Sequence, residues 1–158
     1  MTMKDIFTLK EITKALGLSR ARVEQWISRG DFRPPDQPII GKARDWDLGE
    51  AMRLALFVQL VDDVGFSIKQ ASFCTQLGLH GFNNNVAFFV VWQGLVEVPI
   101  KDEAGKRRKL YTPSWNSHII LSSGDLQSFV QNPDVYFALV VNLNNLEMRV
   151  RAALNSAG

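Results

Sequence analysis

The chain has 158 residues, of which 46% are hydrophobic and 22% charged, and its net charge is +2. These values are ordinary for a globular protein of one or two small domains, and no apolar run is long enough to predict a membrane span. Residues 1–5 contain no secretory apolar segment, and Cys74 has no second cysteine with which to form a disulfide. We therefore expect a cytoplasmic protein that does not associate with membranes.

A short helix followed by a tight turn is predicted near the start of the chain. Thr8 and Glu11 form a T-x-x-E capping box, so the first helix is expected to begin at Leu9. Gly17 follows the last apolar residue of that helix, where a left-handed C-cap costs glycine nothing. Ser19 lies two positions further on and predicts the cap of a second helix. This spacing predicts a helix-turn-helix joint.

The second helix has an apolar side and sides rich in hydrogen-bonding groups. Val23, Trp26 and Ile27 share one side, which we expect to hold this helix against the first. Arginines in the first turn oppose the helix dipole, and that local cost favours a functional role over a merely solvated surface. Guanidinium and amide groups are those that read guanine and adenine in the major groove. They belong to Arg20, Arg22, Gln25 and Arg29.

A turn with basic residues on its rim is predicted after the second helix. The two prolines of DFRPP forbid helix, and residues 39–46 then have the pattern of two short strands with Gly41 at the turn. Lys42 and Arg44 lie beside that turn. A wing of this kind contacts phosphates or the minor groove next to a recognition helix.

From Phe7 to about Cys74 the chain resembles the DNA-binding domain of the MerR family and of the related phage excisionase-like proteins. The resemblance rests on an aromatic in the recognition helix, a glycine-to-proline connector, an R-x-aromatic end of the wing and a G-F-S-Φ-x-[QE] turn. These motifs are supplied by Trp26, residues 30–34, residues 44–46 and residues 65–70. The resemblance implies a four-helix winged helix-turn-helix that binds DNA, and it covers just under half of the chain.

Two departures from the family pattern bear on roles of single residues. Trp26 stands where many members carry a tyrosine that touches phosphate, and an indole has only one donor, so we assign Trp26 to the core first. Members that sense metals use cysteines near a long dimerisation helix. Cys74 is the only cysteine and falls on an apolar helical face, so we expect no metal and no cofactor.

The predicted DNA-binding domain comprises residues 1–80. Its second half is acidic and is expected to support the basic DNA-binding surface of the first half. Residues 1–44 contain nine Lys or Arg and five acids, whereas residues 45–79 contain two bases and five acids. That asymmetry is typical of an oriented binder of a polyanion. Asp47 with Glu50 predicts the start of a third helix, and Ser67 predicts a fourth that runs to about residue 77. The third helix is expected to pack through Ala51, Leu54, Ala55, Val58, Val61 and Val64.

Residues 82–85 mark the predicted boundary with a small α+β module, residues 84–158. Residues 86–92 are dense in β-branched and aromatic side chains and predict a strand buried on both sides. Residues 95–100 form either a second strand or its continuation after a bend at Gly94. A parallel pair of strands is compatible with a helix that crosses over between them. Further strands are predicted at 110–112, 118–121 and 135–143, and helices at 123–130, starting at Ser123 or Asp125, and at 146–154. The last helix is amphipathic, with an apolar stripe of Leu146, Val150 and Leu154.

Two segments of this module have alternative interpretations. Residues 101–109, KDEAGKRRK, predict a hairpin tip with a turn at Ala104 and Gly105. The run from Lys106 to Lys109 is either a solvated tip or a contact with the DNA backbone or another acidic partner. The last helix and the apolar run before it either complete the domain core or form a dimer interface.

The sequence contains no pattern of catalytic residues. His118 is one of two histidines, and no Ser-His-Asp order, H-E-x-x-H motif, phosphate loop or carboxylate pair accompanies it. We interpret His118 as structural and the protein as not an enzyme.

These patterns together predict a sequence-specific regulator of transcription that binds double-stranded DNA. One winged domain reads only a few base pairs, so a homodimer on a pseudo-palindromic site is expected, paired through the α+β module in place of the family's coiled coil. A small-molecule effector is neither indicated nor excluded. Arg20, Arg22 and Gln25 are expected to read bases, and Ser19, Arg29, Lys42 and Arg44 to hold phosphates.

Two alternatives belong to other classes of protein. A phage-type excisionase or DNA-packaging recruiter would use the same domain to bend DNA or mark a site. A ligand-binding or interaction module would have a helix-turn-helix that no longer binds DNA and an apolar pocket in residues 82–158.

Overall fold

The computed structural model of the chain describes residues 6–34, 44–76 and 87–157. Within these ranges the protein is mixed α+β, as the sequence predicts, with six helices and two small antiparallel sheets. None of these helices is both long and apolar enough to cross a membrane. The helices are α1 (Leu9–Ala15), α2 (Arg20–Arg29), α3 (Leu48–Asp62), α4 (Ile68–Cys74), α5 (Ser123–Val130) and α6 (Leu143–Ala157). The strands are β1 (Ile6–Phe7), β2 (Trp46–Asp47), β3 (Phe88–Lys101), β4 (Arg107–Ile120) and β5 (Val135–Asn142).

The chain divides into two compact units. The first unit comprises Met1–Asn84 with Leu143–Gly158, and the second comprises Asn85–Asn142. The change from one unit to the other after residue 84 falls within the predicted boundary. The return of the chain to the first unit at Leu143 is not what the sequence predicts.

The predicted starts of the first four helices are confirmed, because each depends on a local capping interaction. Thr8, Asp47 and Ser67 each accept a hydrogen bond from the backbone amide three residues on. In α1, α3 and α4 the Glu or Gln side chain at that third position in turn accepts a hydrogen bond from the backbone amide of the cap residue. Ser19 caps α2, with its Oγ 3.2 Å from the Arg22 amide nitrogen. A cap of this kind contributes about 1 kcal/mol to helix stability.

Aromatic rings form the centre of the first unit. Trp26 of α2 meets the ring of Phe57 edge-on, with centroids 5.0 Å apart. Phe32 lies 5.5 Å from Phe57 and stacks on Trp46 at 6.2 Å. All four rings are buried, so the prediction that Trp26 belongs to the core is confirmed. These large apolar surfaces fix α2 against α3.

The end of the predicted wing is hydrogen-bonded to the segment before α1. Trp46 and Asp47 of β2 pair antiparallel with Phe7 and Ile6 of β1. The predicted turn at Gly41 lies outside the described residues.

The predicted apolar stripe of α3 is only partly right. Ala51 and Leu54 are buried, but Ala55, Val58 and Val61 are half-buried and Val64 is exposed. Val64 lies beyond the end of the helix at Asp62. Both α4 and α6 pack on α3, so its buried positions spread around the helix and do not form one stripe. The buried apolar positions that the stripe omitted are Met52, Leu56, Phe57 and Leu60.

The C-terminal helix packs in the first unit, which differs from its predicted place in a module of residues 84–158. Helix α6 lies against α1 and α3. Its apolar stripe is confirmed, since Leu146, Val150 and Leu154 are buried. The Lys14 Nζ of α1 donates to the Ala157 carbonyl oxygen at 2.7 Å. The helix therefore completes a core that α1 and α3 alone leave open.

The second unit is a three-stranded antiparallel sheet in the order β4-β3-β5. Its central strand β3 continues through Gly94, with a register shift against β5 between Gln93 and Gly94. Strands β4 and β5 run parallel to each other but on opposite sides of β3, so no parallel pair is hydrogen-bonded in the described sheet. Helix α5 packs on β4 and β5. Its Phe129 ring lies 5.7 Å from that of Trp92 and 6.4 Å from that of His118.

Strands β3 and β4 extend beyond β5 as a two-stranded β-ribbon, which consists of residues 95–101 paired with residues 107–113. The two predicted strands of β4 are one strand in the structure. The predicted turn is confirmed, with Gly105 at φ 74°. The Asp102 carboxylate accepts from the amides of Ala104 and Lys106 at 3.1 and 2.8 Å.

Candidate nucleic-acid interface

The connection between α1 and α2 holds the two helices in a tight joint. Gly17 has a φ of 66°, the left-handed conformation predicted for it. The Leu18 amide donates to the Thr13 carbonyl oxygen at 2.8 Å, which ties the connection to α1. Ser19 then caps α2, so four residues separate the helices. This local geometry sets the direction in which α2 leaves α1.

Helix α2 has a buried side and an exposed side. Val23 and Trp26 are buried, and Ile27 is half-buried. Gly30 ends the helix in the left-handed conformation, and the amides of Asp31 and Phe32 donate back to the Trp26 carbonyl oxygen. The helix is therefore fixed at both ends. The exposed side is an open surface lined by Ser19, Ala21, Arg22, Glu24, Gln25 and Ser28.

Arg20 and Glu24 form an exposed ion pair on the surface of α2. The Arg20 Nε lies 2.7 Å from a Glu24 carboxylate oxygen, one turn further along the helix. Both side chains are about half exposed or more. Exposed pairs of this kind contribute little stability, so either group can exchange its partner for a ligand at low cost.

The side chain of Arg22 makes its contacts within the first unit. Its guanidinium donates to both carboxylate oxygens of Asp62 in α3, at 2.9 and 2.6 Å, and lies 4.5 Å from the centroid of the Trp26 ring. The hydrogen bond to Asp62 raises the pKa of Arg22, and the same bond lowers the pKa of Asp62. Arg22 therefore ties the first turn of α2 to the last turn of α3.

Of the remaining predicted site residues, Gln25 lines this surface, and the others lie apart from it or outside the described residues. Gln25 and Arg29 are exposed on α2, and Arg29 lies in its last turn. Arg44 is half-buried, and its charge acts on the carboxyl of the buried Glu50. Burial is the main reason that the pKa of Glu50 is raised, and the positive charge of Arg44 opposes that rise. Lys42 lies outside the described residues, so its place relative to α2 is not defined.

Sequence reasoning missed three residues of the exposed α2 surface. Ala21 and Ser28 share it with Gln25 at spacings i, i+4 and i+7, and Glu24 lies beside them. A small residue on a helix carries no charge signal, so Ala21 and Ser28 were not identifiable as site residues. Their position opposite Val23 was the only available signal.

The sequence matches no protein-family model, and comparison with curated proteins finds no match. The function proposed below therefore rests on the residues of this chain and on their geometry.

Proposed function

We propose that the protein is a sequence-specific DNA-binding regulator of transcription and that α2 is its recognition helix. The observation that carries the proposal is the exposed side of α2, which presents Glu24 and Gln25 on a helix held by its opposite side. Arg20 is exposed in the first turn of the same helix and pairs with Glu24. An amide, a guanidinium and a carboxylate on one helix are the groups that read base edges directly. Helix α2 is capped at both ends and held by the buried Trp26 ring, so the direction of its axis is fixed.

The dimensions of α2 suit the major groove. Its ten residues span about 15 Å, and the groove is about 12 Å wide and admits one helix. Gln25 lies near the middle of the exposed side and is suited to pair with adenine N6 and N7. Arg20 is suited to guanine O6 and N7, and Glu24 to the N4 amine of cytosine. Ala21 and Ser28 have short side chains, so they allow the helix to approach the bases closely.

The contacts within the first unit revise the role of Arg22. Both terminal nitrogens of its guanidinium donate to Asp62, so we assign Arg22 to positioning α2 and not to reading a base. The phosphate contacts are assigned to Ser19, Arg29, Lys42 and Arg44. Ser19 accepts from the Arg22 amide, which leaves its hydroxyl proton available for a phosphate oxygen.

The architecture proposed around α2 is a MerR-like winged helix-turn-helix, with residues 39–46 as the wing. The capped α1, the four-residue connection and the pairing of Trp46 with Phe7 support it. A single recognition helix reads few base pairs, so the proposal includes a homodimer with two-fold symmetry. The second unit is its proposed dimerisation element.

Genomic-fragment selection with the full chain at near-physiological salt tests this function. We expect an enriched motif with two half-sites about one helical turn apart. The same selection with Gln25→Ala should relax one position in each half-site, whereas Arg149→Ala, an exposed cation on α6, should leave the motif unchanged. Retention without any motif, lost as salt rises, would mean that the chain makes backbone contacts only. Sedimentation of the free chain and of its complex measures the proposed dimer.

A further inference from the structure

The β-ribbon is exposed on both faces and carries many charges near its turn. Every residue from 97 to 111 except Asp102 is exposed. Residues 97–109 contain five Lys or Arg and three acids. A two-stranded ribbon without a covering layer is only marginally stable in water, so packing does not explain its length.

Two of the five cations are neutralised within the β-ribbon and three are not. Arg108 pairs with Asp102 at 2.9 Å, and Lys109 pairs with Glu97 at 3.0 Å. The side chains of Lys101, Lys106 and Arg107 form no ion pair with any residue in the described part of the chain. The third acid of the segment is Glu103, so one acid stands against these three cations and the turn end of the β-ribbon has net positive charge.

Strand register places two of these cations directly opposite each other. Lys101 of β3 is the register partner of Arg107 of β4, so both side chains lie on the same face of the ribbon. Like charges at directly opposed positions destabilise a strand pair. A bound anion would remove that repulsion. The alternation of side chains puts Lys109 and Tyr111 on this same face, together with Glu97, to which both donate. Three cations and one acid lie there, and we call it the basic face.

The opposite face of the β-ribbon is apolar except for Arg108, which lies opposite Ile100 and pairs with Asp102. It carries Val98, Ile100 and Leu110, which are between 36% and 49% exposed. The three cations without an ion pair among the described residues thus lie on the basic face, which holds Lys101 and Arg107, and at the turn, where Lys106 lies.

We infer that the basic face of the β-ribbon, with Lys106 at the turn, binds the phosphate backbone of duplex DNA. This inference rests on the proposed function, which already brings the chain to duplex DNA. Seven residue pairs give the ribbon a length of about 23 Å. Duplex DNA presents negative charge continuously over such a length, and its major groove admits a two-stranded ribbon. Tyr111 is 57% exposed on the basic face, and its hydroxyl, which donates to the Glu97 carboxylate at 3.3 Å, can exchange that exposed acceptor for a phosphate or sugar oxygen.

The test compares the salt dependence of DNA affinity in two charge-matched double variants of the full chain. Lys101→Gln with Arg107→Gln removes the opposed pair of the β-ribbon. Lys69→Gln with Arg149→Gln removes one exposed lysine and one exposed arginine from α4 and α6. The probe is the DNA fragment that the wild-type chain enriches most. Because the ribbon variant removes a repulsion, its melting temperature should equal or exceed that of the wild type, so weaker binding would not reflect unfolding.

The ribbon variant is expected to bind more weakly than the wild type, with a slope of log affinity against log salt that is smaller by about two. The enriched motif should not change, since phosphate contacts carry no sequence information. The α4 and α6 variant should keep the wild-type slope.

Equal slopes in the two variants would overturn the inference while leaving the proposed function intact. Loss of self-association in the ribbon variant with an unchanged slope would also overturn it. A wild-type chain that binds no DNA would refute the proposed function itself.

Discussion

The guanidinium of Arg22 in α2 donates two hydrogen bonds to the Asp62 carboxylate in α3, at 2.9 and 2.6 Å, across 40 residues of sequence. The same guanidinium lies over the Trp26 ring, so the polar tie and the buried aromatic hold α2 together. Both charged side chains are a little over one third exposed, and solvent therefore screens the pair. The geometry serves the orientation of α2 more than the stability of the first unit.

A double-mutant cycle of Arg22→Ala and Asp62→Ala should give a coupling free energy of about 0.2–1 kcal/mol at neutral pH. Urea unfolding of the four proteins measures it. Because Arg22 lowers the pKa of Asp62, the coupling is complete above the ordinary carboxyl pKa of 3.8 and is lost as the pH falls below it. A coupling that persists unchanged at pH 2 would contradict this assignment.

Alanine substitutions on α2 and at Lys42 should separate base reading from phosphate binding. Arg20→Ala and Gln25→Ala should each weaken binding by about 1–3 kcal/mol and relax specificity at one position. Lys42→Ala should weaken binding to all sequences alike and reduce the salt slope by about one. Titration of the selected site and of single-base variants of it, at several salt concentrations, measures both effects. Affinities unchanged by Arg20→Ala and Gln25→Ala would show that another surface binds the DNA.

The place of α6 in the first unit predicts which of its side chains stabilise that unit. Leu146 is buried in the first unit, whereas Met148 is 63% exposed. Leu146→Ala should lower the free energy of unfolding by about 2–5 kcal/mol, and Met148→Ala should change it by less than about 0.5 kcal/mol. Hydrogen exchange of the α1 and α3 amides should quicken in the first variant only. Equal effects of the two substitutions would mean that α6 does not complete this core in solution.

The parts of the fold that sequence predicted are those that depend on neighbouring residues. The caps at Thr8, Ser19, Asp47 and Ser67 act over three residues, so their pattern alone defines where each helix begins. The turn at Gly105 needs only a residue that tolerates positive φ. Because the residues involved are close along the chain, the sequence alone is enough to predict these interactions.

The parts that sequence did not predict depend on partners that are distant along the chain. The apolar stripe of α6 was visible, but a stripe does not say which helices it covers, and those are α1 and α3. Arg22 has a side chain that is suited to reading bases, but it donates to Asp62 of another helix, and the sequence does not show that contact. The unbalanced pair of Lys101 and Arg107 becomes visible only from strand register. Register and helix packing are properties of the folded chain.

Cys74 predicts a specific pH dependence of stability. Burial raises the pKa of its thiol to about 11, whereas the unfolded chain titrates near the ordinary value of 9.0. Between these values the unfolded state has lost a proton that the folded state keeps, so stability falls as pH rises. This single group should remove about 1.4 kcal/mol per pH unit in that window and nothing below pH 8.

The control for this dependence is Cys74→Ala, which lacks the thiol but keeps every other titrating group. The difference in unfolding free energy between wild type and variant should be constant from pH 6 to 8 and should shift in favour of the variant from pH 9 to 11. A thiol reagent should modify native Cys74 slowly at neutral pH, since the group is buried and protonated. Rapid modification of the native protein would contradict the assigned burial.

Two glycines of the second unit should respond to alanine in opposite directions. A Cβ added at Gly94 would overlap the Asp134 carbonyl oxygen and lie 2.5 Å from a carbon of the Trp92 ring. Backbone and ring cannot both move away, because the Leu95 amide also donates to that carbonyl oxygen. We therefore expect Gly94→Ala to destabilise the protein by about 1–3 kcal/mol. At Gly124 in α5 an added Cβ meets nothing within 4 Å, so Gly124→Ala should stabilise the protein by about 0.4–1 kcal/mol.

Denaturant unfolding measures both changes, and hydrogen exchange of the β3 amides should show the loss at Gly94 directly. If Gly94→Ala left exchange in β3 and β5 unchanged, the close approach of the residue 134 backbone to β3 would be wrong, and with it the register shift that lets β3 continue into the β-ribbon.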